Sequence, residues 1–208
     1  MKVLLLNGSP NAKGCTYTAL TEIVTVLEAE GITCEIIQLG KQPIRDCTAC
    51  GKCASLGGKC IFDDDIVNMV IEKAKEADGF VFGTPVYYAH PSGRILSLLD
   101  RVFYAGGKNF WFKPGLAVAS ARRAGTTASL DVLNKYFTIA QMPVVSSSYW
   151  NMVHGSCPED VAKDQEGLQT MRNLGKNMAW MLKCIEAGKQ NGIMPPANER
   201  NHRTNFIR

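Results

Sequence analysis

The stretch Lys2-Val3-Leu4-Leu5-Leu6-Asn7-Gly8-Ser9-Pro10-Asn11-Ala12-Lys13-Gly14-Cys15-Thr16-Tyr17-Thr18 decides the fold. It begins with a short apolar run closed at once by Asn7-Gly8-Ser9-Pro10, the pattern of a buried parallel strand entering a turn. From Thr16 to Glu30, the apolar residues Leu20, Ile23, Val24 and Leu27 recur at i, i+3, i+4 and i+7, one face of a helix. The residues between, Gly8, Ser9, Asn11, Gly14, Thr16 and Thr18, are small or hydroxyl-bearing. Such a loop lets backbone N–H groups and hydroxyls converge on an anion at the positive end of the helix. The anion expected is a phosphate; a strand–helix turn without a ligand is the plain alternative.

What the loop lacks narrows the choice. Counting from Gly8 puts Lys13 where a Walker loop needs its second glycine, and Pro10 stands where G-x-G-x-x-G needs one. Four more strands are read at Cys34–Leu39, Gly79–Gly83, Leu116–Ser120 and a fifth beginning Pro143-Val144-Val145-Ser146. Helical patterns separate them. Asp63-Asp64-Asp65 opens one whose apolar face is Ile66, Val67, Val70, Ile71, Ala74 and Ala77, and three acids there suit a cap against the helix dipole better than a metal. Another runs through Ile95, Leu96, Leu98, Leu99 and Val102, and a third buries Leu130, Leu133 and Phe137. Asp160–Glu186 reads as one long closing helix whose Met171, Leu174, Met178, Met181, Leu182 and Ile185 form a core face. The fold class is therefore α/β, a doubly wound five-stranded parallel sheet with helices on both faces. Ligands in such sheets bind beyond the carboxyl ends of the strands. The loops after strands one, three and four gather there, and those three have the unusual sequences. One domain is expected over residues 1–187, with a polar tail over 188–208.

The first loop, Asn7-Gly8-Ser9-Pro10-x-x-x-Gly14-x-Thr16, resembles the FMN-phosphate loop of the flavodoxin-like NAD(P)H-dependent FMN reductase family, with Cys15 where that family commonly has Asn. Thr84-Pro85-Val86-Tyr87-Tyr88 is similar to its G-[ST]-P-x-Y segment, and Ser120–Thr126 matches its third flavin loop loosely. Asp100-Arg101 resembles a pair that ends its following helix, read here as a structural or interfacial ion pair. The resemblance implies a flavodoxin-like strand order 2-1-3-4-5, FMN as cofactor and NAD(P)H as electron donor. Ser9, Asn11, Cys15, Thr16, Tyr17 and Thr18 would then cradle the phosphate. Pro85, Val86, Tyr87 and Tyr88 would form the slot for the isoalloxazine ring, with an aromatic face for stacking. Ser120, Arg122, Arg123 and Gly125 would meet the ring edge. An arginine there would stabilise the reduced flavin, the alternative being a solvated surface charge. No catalytic residue is assigned, and His90 is read as a polar loop residue. Cys15 either replaces Asn in the cradle or is a reactive thiol whose pKa the helix N-terminus lowers.

Cys47-Thr48-Ala49-Cys50-Gly51-Lys52-Cys53, followed by Cys60, spaces four thiols as C-x2-C-x2-C-x6-C. Gly51, Gly57 and Gly58 let this loop, residues 46–62, fold back so that Cys60 reaches the other three. It resembles the compact motif of the iron–sulfur flavoprotein branch of the same family, which implies a [4Fe–4S] cluster on Cys47, Cys50, Cys53 and Cys60. Structural zinc, disulfides formed on handling, or thiols with no ligand remain open. Cys34 and Cys184 are read as core positions.

At 208 residues and 46% hydrophobic, the chain can bury one full α/β core. A net charge of +4 forms no basic stripe, so no nucleic-acid partner is inferred. No apolar run approaches the ~18 residues of a membrane span, so none is expected to cross a membrane. The short apolar N-terminus is too little for a secretory signal, and a cytoplasmic protein is expected. Eight cysteines fit thiol, metal or redox chemistry better than a disulfide scaffold. The expected function is an FMN-dependent oxidoreductase passing electrons from NAD(P)H or a reduced carrier through FMN to a small-molecule or protein acceptor. A non-catalytic flavodoxin-like carrier and a zinc-stabilised binding protein are the alternatives. The resemblance implies a homodimer or homotetramer, and Phe103-Tyr104, Phe110-Trp111-Phe112 and Tyr149-Trp150 are aromatics that an interface would bury. The tail, with Arg200, Arg203, Phe206 and Arg208, either crosses onto a neighbour or is disordered.

Overall fold

Sheet and helix alternate along the chain as the apolar pattern requires. In the computed structural model, which describes residues 1–202, 204 and 206, β1 (Lys2–Asn7) leads into α1 (Cys15–Ala29) and β2 (Thr33–Gln38). Next come α2 (Val67–Glu76), β3 (Gly79–Tyr87), the short β4 (His90–Pro91) and α3 (Gly93–Gly106). They are followed by β5 (Gly115–Ala121), α4 (Thr126–Ile139), β6 (Met152–His154), α5 (Pro158–Val161) and α6 (Gln165–Gln190). The parallel strands lie in the order β2-β1-β3-β5-β6, which is the expected 2-1-3-4-5; β4 stands off the sheet, antiparallel to the end of β3.

Strand alternation divides the core in two. Leu4, Leu6, Phe80, Phe82, Ala117 and Ala119 face α2, α3 and α4, meeting Val70, Leu99, Leu133 and Phe137. Val3, Leu5, Val81, Leu116 and Val118 face α1 and α6, meeting Leu20, Ile23, Met171 and Met178. Because both faces are covered, the central strands are apolar at nearly every position.

Several expectations are corrected. The fifth parallel strand is interrupted: Val144 makes one isolated bridge to Gly115, and the paired segment is Met152–His154 beside Ala119–Ala121. The closing helix is broken as well. Asp164 caps α6 by accepting from Gly167 N at 2.9 Å, leaving α5 as a separate single turn. Thr84–Tyr87, read as loop, continues β3. Cys34 is only half-buried and Cys184 is exposed, so neither is a core residue. Phe103 and Phe110 need no second subunit, since their rings stack at 4.4 Å and Phe103 also meets Phe82 edge-on at 6.0 Å. Tyr104, Tyr149, Trp150 and Phe206 do stay exposed. In the tail, the Arg200 guanidinium lies 3.9 Å from the Trp111 ring centre of its own chain, while Arg203 and Arg208 lie outside the described residues. Among the described residues no helix is long and apolar enough to cross a membrane.

Candidate flavin and cysteine-loop sites

The carboxyl ends of β1, β3 and β5 are neighbours in the sheet, so the three loops that follow them meet and are tied together. Gly8 N donates to Gly83 O at 2.8 Å. A Cβ on Gly8 would lie 2.8 Å from that oxygen and 3.0 Å from Ile95 Cβ, so only glycine fits the crossing. Ser92 Oγ donates to Gly8 O at 2.9 Å and caps α3 by accepting from Ile95 N at 3.4 Å. The first and third loops are joined where the buried hydroxyls of Thr16 and Ser120 share a 2.8 Å hydrogen bond. The second and third loops touch at Gly125, whose φ of 94° lets its Cα sit against Ala89.

The first loop is braced from below. Asn7 Nδ2 donates to Gln38 Oε1 at 2.5 Å, Gln38 Nε2 donates to Ser9 O at 2.7 Å, and Asn7 Oδ1 accepts from Ser9 N at 3.2 Å. Ser9 Oγ accepts from Asn11 N at 3.1 Å. Sequence reasoning missed Gln38 and Ser92, and the bracing role of Asn7, because their partners are 29, 84 and 31 residues away. Only Ser92 carried a local signal, a serine just before a helical run. Above the brace, α1 has Gly14 as its N-cap, with no side-chain cap bond and no acid in its first turn, the kind of helix start that can receive an anion.

The sequence-named residues divide by position. Ser9, Thr16 and Ser120 are buried at the base of the site, while Tyr17 is half-buried and Asn11 exposed. Thr18 Oγ1 is turned back onto its own helix, donating to Gly14 O at 3.3 Å. Cys15 Sγ donates to Gly155 O at 3.6 Å. Burial raises its pKa and Asp160 and Glu159 add to the rise, against a smaller opposing backbone hydrogen bond. The direction runs against the reactive-thiol alternative for Cys15. In the second loop Pro85 and Val86 are half-buried. Tyr88 and Ala89, with φ of 51° and 58°, make a two-residue hairpin turn of the left-handed kind, which holds Tyr88 fully exposed beside the half-exposed Tyr87. His90 is exposed, with Nδ1 3.3 Å from Pro91 O. Arg122 and Arg123 are exposed on the third loop, just before α4.

The cysteine loop lies against α3. Cys47, Cys50, Cys53 and Cys60 line one cavity of about 10 Å³ with Phe62, Arg101 and Tyr104. Positive φ at Ala49, Gly51, Gly57 and Gly58 folds the chain around it. All eight cysteines are free thiols. Burial first, then the thiols of Cys60, Cys50 and Cys47, raise the pKa of Cys53. Among the described residues no three His, Cys, Asp or Glu side chains are close enough to hold a metal ion as they stand. Cys60 is the anchored member: its N donates to Asn68 Oδ1 at 2.8 Å, and its O accepts from Asn68 Nδ2 at 3.0 Å.

Arg101 is the residue that sequence reasoning misplaced. Its side chain is 0% exposed, and it pairs with Asp65 rather than with Asp100. Arg101 Nε donates to Cys60 Sγ at 3.3 Å, and its terminal nitrogens donate to Phe62 O at 3.2 Å and Arg45 O at 3.3 Å. Asp100 points away and accepts from Tyr136 Oη at 2.5 Å. Adjacent residues on a helix do not face each other, so the expected pair cannot close. A signal was present, since Arg101 stands three residues after Leu98, on the buried stripe of α3. Asp65 Oδ1 also accepts from Val67 N at 3.0 Å from just ahead of α2. The N-cap, however, is Ile66 with no side-chain cap bond, and no acid lies in the first turn, so the capping expected of the acidic triplet is not found.

The flavodoxin-like sheet and its three joined loops define a class, and comparison with known proteins agrees. The family model described as NADPH-dependent FMN reductase matches residues 1–156, and the chain belongs to that family. It is an FMN-dependent oxidoreductase of the FMN reductase type. An iron–sulfur flavoprotein of Archaeoglobus fulgidus is 41% identical over 192 residues, covering 86% of this chain and 94% of the relative. Another, from Methanocaldococcus jannaschii, is 34% identical over 194 residues, covering 89% of this chain and 100% of the relative. Among solved structures, an NAD(P)H:quinone oxidoreductase from Methanothermobacter marburgensis shares the fold with a TM-score of 0.64 at 18% identity, over 86% of this chain and 96% of that one.

Proposed function

We propose that FMN binds across the three joined loops, with its phosphate on the β1–α1 loop, and that electrons pass from NAD(P)H or a reduced carrier through it to a [4Fe–4S] cluster on the cysteine loop. The observation that carries the flavin reading is the uncapped start of α1 above the Asn7–Gln38–Ser9 brace. Those first amides and the Ser9 hydroxyl hold the phosphate, and the brace keeps the loop from closing on itself. Pro85 and Val86 form the floor of the ring slot and Tyr87 its flank, while Gly125 admits the ring edge close to the backbone and Arg122 or Arg123 supplies positive charge there. When bound, FMN accepts an electron pair as hydride and releases electrons singly, which suits a one-electron cluster as the next station.

Four thiols on one wall have the donor chemistry of a cluster site, and two relatives named as iron–sulfur flavoproteins support that reading. The gap of about 10 Å³ between them has room for about one water. Seating a cluster requires the exposed Cys47 and Cys50 to move outward around Cys53 and Cys60, which are half-buried. Eight cysteines in a chain of this size, four of them in one loop, fit thiol or redox chemistry better than a disulfide scaffold and support a reducing, cytoplasmic setting. The exposed Tyr104, Tyr149 and Trp150 support a homodimer or homotetramer.

The test is purification without oxygen, followed by flavin extraction, iron, sulfide and zinc analysis, and steady-state NAD(P)H oxidation with an artificial acceptor. FMN, about four iron and four sulfide per chain, and turnover are expected. FAD or no flavin would overturn the flavin site. Stoichiometric zinc without sulfide would assign the loop to a structural metal, and FMN without NAD(P)H turnover would make the protein an electron carrier.

A further inference from the structure

The Arg101–Cys60 contact has no counterpart in the flavin site, and its construction is costly. A guanidinium with a side chain 0% exposed has given up its water, and such a charge persists only where every donor is met. Here Asp65 takes one N–H, the carbonyls of Phe62 and Arg45 take others, and Nε is aimed at Cys60 Sγ at 3.3 Å. The Phe62 ring lies over the guanidinium, with its centre 5.6 Å from Cζ. Asp65 is 6% exposed and neutralises the arginine, so the buried pair needs no thiolate for its own charge balance. A salt bridge alone would not account for the fourth direction. The sulfur at which that N–H is aimed belongs to Cys60, the one cysteine of the four that Asn68 also clamps at both backbone atoms.

We propose that Arg101 is a positioning residue for the cluster of the cysteine loop, holding the Cys60 thiolate through Nε–H···S and raising the reduction potential of the bound cluster. This rests on the cluster reading above. The physical reason is that a cluster gains negative charge on reduction, and a hydrogen bond to a ligand sulfur from a buried cation stabilises the more negative form more strongly. Arg101 acts through Cys60 and contacts no part of the flavin site. Its counterpart Asp65 accepts from Val67 N at the start of α2, so Cys60 is tied through Arg101 and Asn68 to both α2 and α3, while Cys47 and Cys50 are exposed.

The experiment compares wild type, Arg101→Lys and the double variant Arg101→Gln/Asp65→Asn, each reconstituted anaerobically with ferrous iron and sulfide. The double variant replaces the buried ion pair by a neutral pair, so it leaves no unpaired buried charge. Arg101→Lys keeps the charge but not the planar fork. Iron release to a chelator and the cluster midpoint potential, followed by optical titration, are the readouts, with extracted FMN as the check on folding. A more negative potential and faster iron release in the double variant, with Arg101→Lys between it and wild type, are expected. If the double variant fails to retain FMN, Arg101→Lys alone decides by the same two readouts. Unchanged potential and release in the folded variants would overturn the role of Arg101 while leaving the cluster reading standing. A wild-type protein that takes up no iron and sulfide would overturn the cluster reading itself.

Discussion

Replacing Gly125 with alanine tests the claim that the three loops form one site. Two costs follow from the structure. The residue holds φ at 94°, a conformation that costs an L-residue about 1–2 kcal/mol. The added Cβ would also lie 2.4 Å from Ala89 Cα and 2.9 Å from Val86 Cγ1, and relieving such a clash costs about 1–3 kcal/mol. Ala89 is backbone in a tight turn, so the neighbour cannot yield by rotating a side chain; the hairpin tip must swing away. Together the change should destabilise the flavin-free protein by roughly 2–5 kcal/mol if the contact is kept, and by less if the loops part. In the second case the strain reappears when FMN draws the loops together, and about 1.4–2.8 kcal/mol of it would weaken binding roughly ten- to hundredfold. Urea unfolding without flavin and fluorescence titration with FMN measure the two shares. A Gly125→Ala protein with both wild-type stability and wild-type affinity would refute the contact between the second and third loops.

The other predictions concern single residues. Ser9→Ala should weaken FMN binding by about 1.5–3 kcal/mol through loss of a charge-assisted hydrogen bond, and unchanged affinity by titration would move the phosphate elsewhere. Asp65→Asn alone leaves the Arg101 guanidinium buried without its carboxylate, so urea unfolding should show a loss of about 3–5 kcal/mol. That loss should exceed the loss in the double variant Arg101→Gln/Asp65→Asn; an equal or smaller one would show that burial does not isolate the pair. Burial, with Glu28 adding, pushes the Cys34 thiol up to about 11 from an ordinary 9.0. Folding therefore favours its neutral form, and that contribution is complete below pH 9 and lost as pH rises through 11. Cys34→Ser should flatten the fall of the urea midpoint across that window, and identical slopes would count against the shift.

Much of this protein was legible before any coordinates. The β1–loop–α1 reading, the parallel sheet and the clustering of three odd loops rest on local apolar spacing and on a topological rule, both of which act within short segments of chain. The four cysteines were legible for the same reason, because their spacing lies within one loop. What failed was decided between distant segments. Val144 looked like a strand start, yet strand pairing beyond its one bridge falls to Met152–His154, because the register beside Ala119–Ala121 is set by a neighbouring strand and not by the local run. Cys15 sat where a helix end lowers a thiol's pKa, but burial and the acids of the Glu159–Asp160 turn, far along the chain, reversed the direction. Asp100 and Arg101 are adjacent in sequence, and only packing showed that they point apart, one to Tyr136 and the other to Asp65 and Cys60. Sequence spacing states which residues share a face of one element. Which partner that face meets, and how much water is left around it, belongs to the tertiary structure, because burial and long-range hydrogen bonds exist only once the elements are packed.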